Sequence, residues 1–441
     1  MLTTQHILVF GAGKSATVLI DYLKQKTTAH QWKLTVADSD LQTVEDKLGT
    51  ADGCKAVQLN ILDAGKRASL IQDADVVISL MPPSLHLPIA EDCLAYGKHL
   101  LTASYADPAI KALASEVRNK DILFLCEMGL DPGIDHMSAM QLIHRIQAEG
   151  GDITSLYSHC GGLVAPESDN NPWHYKISWN PRNVVLAGKA GAIYRENGTE
   201  KKLSYADLFR QHTSVSIPSL GTLSYYANRD SLAYIDLYAL PEVKNFLRTT
   251  LRHPDFCKGW AAIVALQLTD ESLWYDTDGL PIQDFLKQHL AQNKLQECFD
   301  AYMNDPLLNE QFSFLGFFSE KPINKGKCSA ADILQWRMEE SWLLHPTDKD
   351  MIVMLHEITY LLDGKSRTVK SSLVVKGENH LRTAMAKTVG LPLAIAAVLI
   401  ADGSLKERGL HIPVTPAIYE PVLTVLKQEG ILFQEQQILN S

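Results

Sequence analysis

The run Gly11-Ala12-Gly13-Lys14-Ser15-Ala16 has the residue types and spacing to hold the phosphates of a dinucleotide. It is the GxGxxA form of the dinucleotide fingerprint. Gly11 allows a tight turn, Gly13 lets a pyrophosphate approach the backbone, and Ala16 permits close packing of a helix on a strand. Unpaired N–H groups and the helix macrodipole at that N-terminus favour an anion. The run follows the apolar segment HILVF (6–10) and opens a helical pattern; Asp38 comes 22 residues after Ala16, at the end of KLTVAD (33–38). The tail Gly13-Lys14-Ser15 also matches a P-loop. That motif needs a glycine five residues before Gly13, where Leu8 stands inside the strand, so the P-loop is rejected. A carboxylate at Asp38 would bind ribose hydroxyls and repel a 2′-phosphate. Ser39 and Asp40 follow it with no Arg, which favours NAD; Lys14 is close enough to keep NADP open.

A second stretch raises a different chemistry. HCGGLVAPESDNNPWHYKISWNP (159–181) is too polar and too broken by Gly, Pro and Asn for an ordinary core segment, yet it carries Cys160, Lys176, Ser178 and two Trp. Cys160 could be a nucleophile with His159 beside it, or only a small buried residue, the common fate of free Cys. Arg229 in ANRDS and Arg252 in TTLRH could bind carboxylates bidentately or form surface ion pairs. Asp131-Pro132 reads locally as an N-cap and first-turn pair, and His136, beside Asp135, as a helix-start residue. His86 and His159 receive no role. The 15 histidines show no HxxxH or HExxH spacing, which argues against a metal site.

The elements that must position these residues alternate strand and helix over the first 130 residues. Short apolar runs at 6–10, 33–38, 73–80, 98–105 and 121–133, separated by helical patterns, imply βαβ units and a parallel sheet covered on both faces. Ser104 and Tyr105 end one of these strands on the carboxyl edge, where such folds bind ligands. From 131 the pattern changes. ITSLYSHCGG, NVVLAGKAGAIYR, KDMIVMLHEITYLLDG and SRTVKSSLVVKG read as strands of a mixed or antiparallel sheet, and RENGTEKK as a hairpin with Asn-Gly at its tip. The stretch at about 255–345 is a helical insertion. Residues 383–403 read as a helix pair, and 383–441 as packing back on the first domain. The expected fold is α/β: a Rossmann domain at 1–130 and a mixed-sheet substrate and dimerisation domain at 131–382.

The net charge of −10 argues against nucleic acid as the main partner, because phosphate binding calls for a basic face. No apolar run reaches the ~20 residues that span a bilayer, and no basic segment precedes the first strand, so neither a membrane anchor nor a signal peptide is expected. Seven scattered cysteines without a CxxC pair fit a reducing compartment, and the cytoplasm is the expected location.

Taken in order, the segments Val77–Pro82, Thr102–Tyr105, Glu127–Met137 (EMGLDPGIDHM), Cys160–Trp179, Asn228–Ser231, Thr250–Arg252 and Ala384–Ala394 resemble the L-glutamate-forming saccharopine dehydrogenase (saccharopine reductase) family over nearly the whole chain. GLDPGIDH and the CGG…YKxSW block are its specific marks. The family's fungal NADP-using members carry an Arg after the second strand, from which Asp38-Ser39-Asp40 departs.

The resemblance implies an enzyme that interconverts saccharopine with L-glutamate and 2-aminoadipate 6-semialdehyde, as a homodimer, by hydride transfer to or from a nicotinamide cofactor. It places Asn60, Ile61, Ser79, Leu80, Leu130, Pro132 and Gly133 against the cofactor with the fingerprint residues and Asp38. It places Ser104, Tyr105, Asp131, Lys176, Ser178, Arg229, Thr250, Leu251 and Arg252 against substrate, with Asp131, Tyr105 and Cys160 nearest the chemistry. The 159–181 stretch becomes a loop walling the substrate site. Two other classes remain: a Cys-dependent semialdehyde dehydrogenase with Cys160 as nucleophile, and a non-catalytic nicotinamide-binding regulator.

Overall fold

The computed structural model describes residues 4–439, which fold as two compact units. The first comprises the chain up to Gly151 together with Gly377–Phe433; the second comprises Asp152–Lys376 and the chain from Gln434 onward.

The first unit is built on a parallel, Rossmann-like sheet of seven strands. Its strands in chain order are β1 His6–Phe10, β2 Lys33–Asp38, β3 Cys54–Gln58, β4 Val76–Ser79, β5 His99–Thr102 and β6 Leu123–Leu125, with Gly409–His411 added at the end. The spatial order is β3-β2-β1-β4-β5-β6 and then Gly409–His411. The order reverses between β1 and β4, so the ligand crevice of this topology lies outside their carboxyl ends. HILVF and VVIS are apolar apart from His6 and Ser79 at their ends because helices cover both faces; Ile7, Leu8, Val9 and Phe10 are fully buried.

The reading of residues 383–403 as a helix pair is corrected. Ala384–Ala401 is a single helix with Pro392 inside it. Gly390 brings this helix against the fingerprint helix, since a Cβ there would lie 3.0 Å from the Leu19 side chain. The helix is apolar and long enough to cross a membrane, and most of it is buried. By contact the helix Ile134–Ala148 groups with the first unit.

The second unit is a ten-stranded mixed sheet. Its main path runs Thr213–Ile217, Gly221–Ala227, Asn245–Arg252, β7 (Asp152–Val164), Asp350–Leu362, Lys365–Lys376 and Gln434–Leu439. Gln434–Leu439 pairs with Lys365–Lys376, so the tail of the 383–441 segment contributes a strand here rather than a helix on the first unit. β7 is parallel to Asn245–Arg252 and antiparallel to Asp350–Leu362. Asn197 and Gly198, both at positive φ, close the hairpin between Ala192–Glu196 and Thr199–Leu203. The run NVVLAGKAGAIYR is only partly strand: Pro181–Val185 is helical behind an Asn180 cap, and the strand begins at Ala192. Helices Pro254–Ala265, Ile282–Asn293, Gln296–Met303, Pro306–Phe314 and Ala330–Ser341 fill the helical stretch, with a two-stranded ribbon, Trp274–Asp276 and Lys327–Ser329, between them.

Candidate active site

In the first unit the fingerprint forms the turn its spacing predicts. Gly11, at φ +100, follows β1 and donates its N–H to Ala37 O (2.9 Å). The short turn Lys14–Ala16 leads into the helix Thr17–His30, with Ala16 buried. Gly13 is extended (φ −66, ψ −167), and a Cβ there would meet no protein atom within 4 Å. No packing within the protein calls for glycine at this position, and its backbone is open to close approach by an external group.

Asp38 reaches back from the end of β2. Its Oδ2 accepts the Ala12 N–H (2.7 Å), while Oδ1 accepts from Ser39 Oγ (3.1 Å) and the Asp40 N–H (3.2 Å). It therefore braces the turn as well as presenting negative charge there. Lys47, which the sequence did not single out, donates to the carbonyls of Ala12 (2.7 Å) and Gly13 (2.6 Å). No local motif marks it, because it comes from the helix Leu41–Leu48, more than thirty residues along the chain. Leu80 lines the other side: its N–H donates to Phe10 O (2.9 Å), and its backbone lies 3.3 Å from where a Gly11 Cβ would be. Asn60 and Ile61 follow β3, with Asn60 exposed and Ile61 buried.

The carboxyl edge of β4 and β5 carries a hydrogen-bonded chain. Ser79 Oγ bonds His86 Nδ1 (2.9 Å), and His86 Nε2 bonds Ser104 Oγ (2.8 Å). Burial lowers the His86 pKa to about 4 against the opposing pull of Asp107, so the ring is neutral at pH 7. Tyr105 OH donates to Asp131 Oδ1 (3.3 Å).

Asp131 is not the N-cap expected of it. The helix starts at Ile134 behind Gly133, and no side chain caps it. The Asp131–Pro132 peptide is cis. Gly129 donates its N–H to Pro132 O (2.9 Å), and Gly129 O accepts from Ile134 N–H (2.9 Å), so Leu130, Asp131 and Pro132 form the tip of a closed loop. Gly133 sits at φ +149, and a Cβ there would overlap the Gly129 backbone, so only glycine closes it. Behind the loop, buried Glu127 bonds His136 Nε2 (2.9 Å) and accepts the Ala106 N–H (3.2 Å). This pair ties the loop after β5 to the loop carrying Asp131. Both residues lie inside the EMGLDPGIDHM block, which was the only sequence signal for Glu127.

In the second unit the 159–181 stretch is not wholly a loop. Residues 159–164 are the second half of β7, and only the remainder is irregular. Trp173 and Tyr175 pin that remainder into an aromatic cluster with Phe256, Trp260 and Trp342, and the Trp173 indole N–H donates to Gln311 O (3.0 Å). Cys160 is buried and pairs in register with Thr250 on one side and Met354 on the other. At Gly161 a Cβ would lie 2.6 Å from Leu251 O, so the two strands touch here as no other residue would allow.

His159 and Cys160 lie on opposite faces of β7. The His159 nitrogens are taken by Thr249 Oγ1 (2.7 Å) and Glu357 Oε2 (3.2 Å). Burial works to raise the Glu357 pKa, but His159 and Lys370 outweigh it and hold the carboxyl down to about 2.

Arg252 is 5% exposed. One Nη donates to Leu251 O (2.8 Å), and the guanidinium stands over the rings of Tyr175 (5.2 Å) and Phe256 (5.4 Å). Its Nε is buried without a hydrogen-bond partner, and no carboxylate of the described residues pairs with it. A buried cation in this state is costly unless an anion meets it.

Other predicted substrate contacts are placed differently. Lys176 is buried, but its ammonium is bonded to Asp348 (2.7 Å), which holds the Asp348 pKa down against burial. Ser178 is buried, and Thr250 is half-buried in its strand. Leu251 is buried in a hydrophobic cluster, so only its main chain can face a ligand. Arg229 is exposed at φ +52, in a two-residue strand paired with Ala192–Ile193. Its neighbours serve the fold: Asp230 accepts the Leu232 N–H (2.8 Å), and Ser231 Oγ accepts the Arg248 N–H (3.0 Å).

Comparison with known proteins bears on both units. Residues 7–125 match the family profile described as saccharopine dehydrogenase NADP binding domain, and residues 129–431 match saccharopine dehydrogenase C-terminal domain. The chain is 32% identical to the saccharopine dehydrogenase [NADP(+), L-glutamate-forming] of Saccharomyces cerevisiae, over 98% of this chain and 99% of that protein. It is also 32% identical to the mitochondrial alpha-aminoadipic semialdehyde synthase of Bos taurus, where it spans all of this chain and 48% of that longer protein. The apo structure of the Saccharomyces cerevisiae enzyme (L-Glu forming) superposes with a TM-score of 0.89 over 98% of this chain and 100% of that one, at 31% identity. The homospermidine synthase of Legionella pneumophila, solved with NAD, shares the fold at a TM-score of 0.57 and 11% identity, covering 99% of this chain and 92% of that one.

Proposed function

The chain belongs to the saccharopine dehydrogenase family, and from that we propose that it oxidises saccharopine to L-glutamate and 2-aminoadipate 6-semialdehyde, and runs the reverse condensation. One observation carries the reading beyond family membership: Arg252 is a buried guanidinium that no carboxylate of the described residues neutralises. A substrate with three carboxylates is the kind of anion that meets it.

A bound nicotinamide supplies the hydride acceptor. The Gly11–Ala16 turn, braced by Asp38 and Lys47, fits its pyrophosphate. What remains falls to side chains. The secondary amine must be neutral when its neighbouring carbon, the one derived from C6 of the semialdehyde, gives up hydride. The resulting substrate imine takes up water at that carbon, and the C–N bond then breaks, leaving nitrogen on glutamate. We assign the amine proton and the water proton to the Tyr105–Asp131 pair. Arg252 orients one carboxylate. Lys176, already matched by Asp348, shapes the wall rather than supplying free charge.

We propose NAD as the preferred carrier, although the yeast relative is named for NADP(+). Asp38 places a carboxylate at the end of β2, and Ser39-Asp40 supply no cation for a 2′-phosphate. Asp38→Ser should weaken NAD use and relieve the bias against NADP, measured as kcat/KM with each. Wild-type preference for NADP of tenfold or more, about 1.4 kcal/mol, contradicts this assignment. The reading also takes the chain as a homodimer of the cytoplasm.

The geometry disfavours Cys160 as a nucleophile, because His159 serves Thr249 and Glu357 on the other face of β7. Cys160→Ser should keep the same products at a rate reduced no more than about a hundredfold, ~2.7 kcal/mol on the barrier. A covalent adduct on Cys160, trapped by mass spectrometry during turnover, would establish the semialdehyde-dehydrogenase reading instead. The test of the function itself is saccharopine-dependent formation of reduced cofactor by purified protein. Cofactor binding without turnover of saccharopine would leave the regulator reading.

A further inference from the structure

We propose that His174, His253 and Asp255 form a binding site for a divalent transition ion of the Zn2+ class. Sequence spacing cannot show this site, because His174 lies in the irregular part of the 159–181 stretch and the other two begin the helix Pro254–Ala265. Among the described residues this is the one group of three whose ligand atoms, one from each residue, lie within 4.8 Å of one another.

The geometry suits a small ion. His174 Nε2 is 3.4 Å and His253 Nδ1 is 3.7 Å from Asp255 Oδ2. Bonds of about 2.0–2.2 Å in a tetrahedron put ligand atoms roughly 3.3–3.6 Å apart. His174 Nδ1 bonds Asp169 Oδ2 at 2.6 Å. A carboxylate only accepts, so Nδ1 donates in that contact, and Nε2 is the nitrogen that faces Asp255, the carboxylate–histidine arrangement that supports metal ligands. The second Asp169 oxygen is buried with no hydrogen-bond partner, an uncompensated acceptor directly behind the ligand. His174 is held at φ +50, a region few non-glycine residues occupy. The His174 and His253 rings lie with centroids 3.7 Å apart. Asp255 N–H donates to His253 Nδ1 at 3.3 Å, a weak contact that a metal bond there would replace.

All four side chains are partly exposed, so the ion has an entry path and a fourth position for water. His174 is two residues from Lys176, and His253 follows Arg252. The site thus ties together the two segments that carry those cations, but its existence does not depend on which substrate they serve.

The test titrates chelator-treated full-length protein with Zn2+ against a chromophoric chelator, and with Co2+ followed by its visible absorption. One equivalent per chain is expected, with Co2+ bands of a four-coordinate nitrogen and oxygen site. His174→Asn, which tolerates the positive φ, and His253→Ser, which keeps the helix cap, should each weaken Zn2+ at least about tenfold; Asp169→Asn should cost about tenfold to a hundredfold. The seven cysteines are the same in all variants, so adventitious thiol binding cancels. Thermal melts without metal check that each variant folds; Asp255→Asn replaces any that does not. Zn2+ uptake by wild-type protein no greater than by the His174→Asn/His253→Ser double variant overturns the proposal.

Discussion

Arg252→Met should raise the KM for saccharopine by roughly tenfold to over a hundredfold while leaving the affinity for the nicotinamide cofactor nearly unchanged. A charge-assisted hydrogen bond is worth ~1.5–3 kcal/mol, which sets that range. Methionine keeps much of the length that lies over the Tyr175 and Phe256 rings. It also removes a buried charge that no carboxylate of the described residues offsets, so the melting temperature should hold or rise. Steady-state kinetics, cofactor titration and a thermal melt on one preparation separate these effects. Wild-type saccharopine kinetics in the variant would remove Arg252 from the site.

Gly133→Ala should destabilise the protein by about 3 kcal/mol or more, because a methyl group there overlaps the Gly129 backbone at a φ that alanine avoids. For a unit of about this size that is a fall of roughly 6 °C or more in Tm. Activity should fall with it, since the same turn holds Asp131 against Tyr105. Gly13→Ala is the informative partner. Its Cβ meets no protein atom and its φ of −66 suits alanine, so the Tm should not move while cofactor binding weakens sharply. Equal Tm values for Gly133→Ala and wild type would show that the Gly129–Gly133 loop is not closed as described. Unchanged cofactor binding in Gly13→Ala would move the pyrophosphate away from this turn.

The parts of the site legible in the sequence are those whose chemistry is local. Gly11, Gly13 and Ala16 follow a strand and open a helix within six residues, so spacing alone identifies the turn. Asn197-Gly198 closes its hairpin for the same reason. What spacing could not give is what depends on partners distant in the chain. Lys176 and Arg252 look alike as conspicuous cations, yet Asp348 neutralises one and no carboxylate of the described residues meets the other. Asp131-Pro132 has the composition of a helix start, but Gly133 takes that place because the loop closes on Gly129. Residues 383–403 read as a helix pair, but Ala384–Ala401 runs as one helix through Pro392, buried among apolar neighbours. The Ser79–His86–Ser104 chain joins the ends of neighbouring strands, a link that exists only once the sheet has formed.

The central claim is which C–N bond of saccharopine is opened, and product identity tests it most directly. Purified protein should be incubated with saccharopine and NAD, then with NADP, and the amino acids released resolved by chromatography and mass spectrometry. L-Glutamate should appear in step with reduced cofactor, with 2-aminoadipate 6-semialdehyde captured by an amine reagent as its partner. Release of lysine with 2-oxoglutarate would mean that the other carbon beside the nitrogen gives up hydride, and would contradict the account.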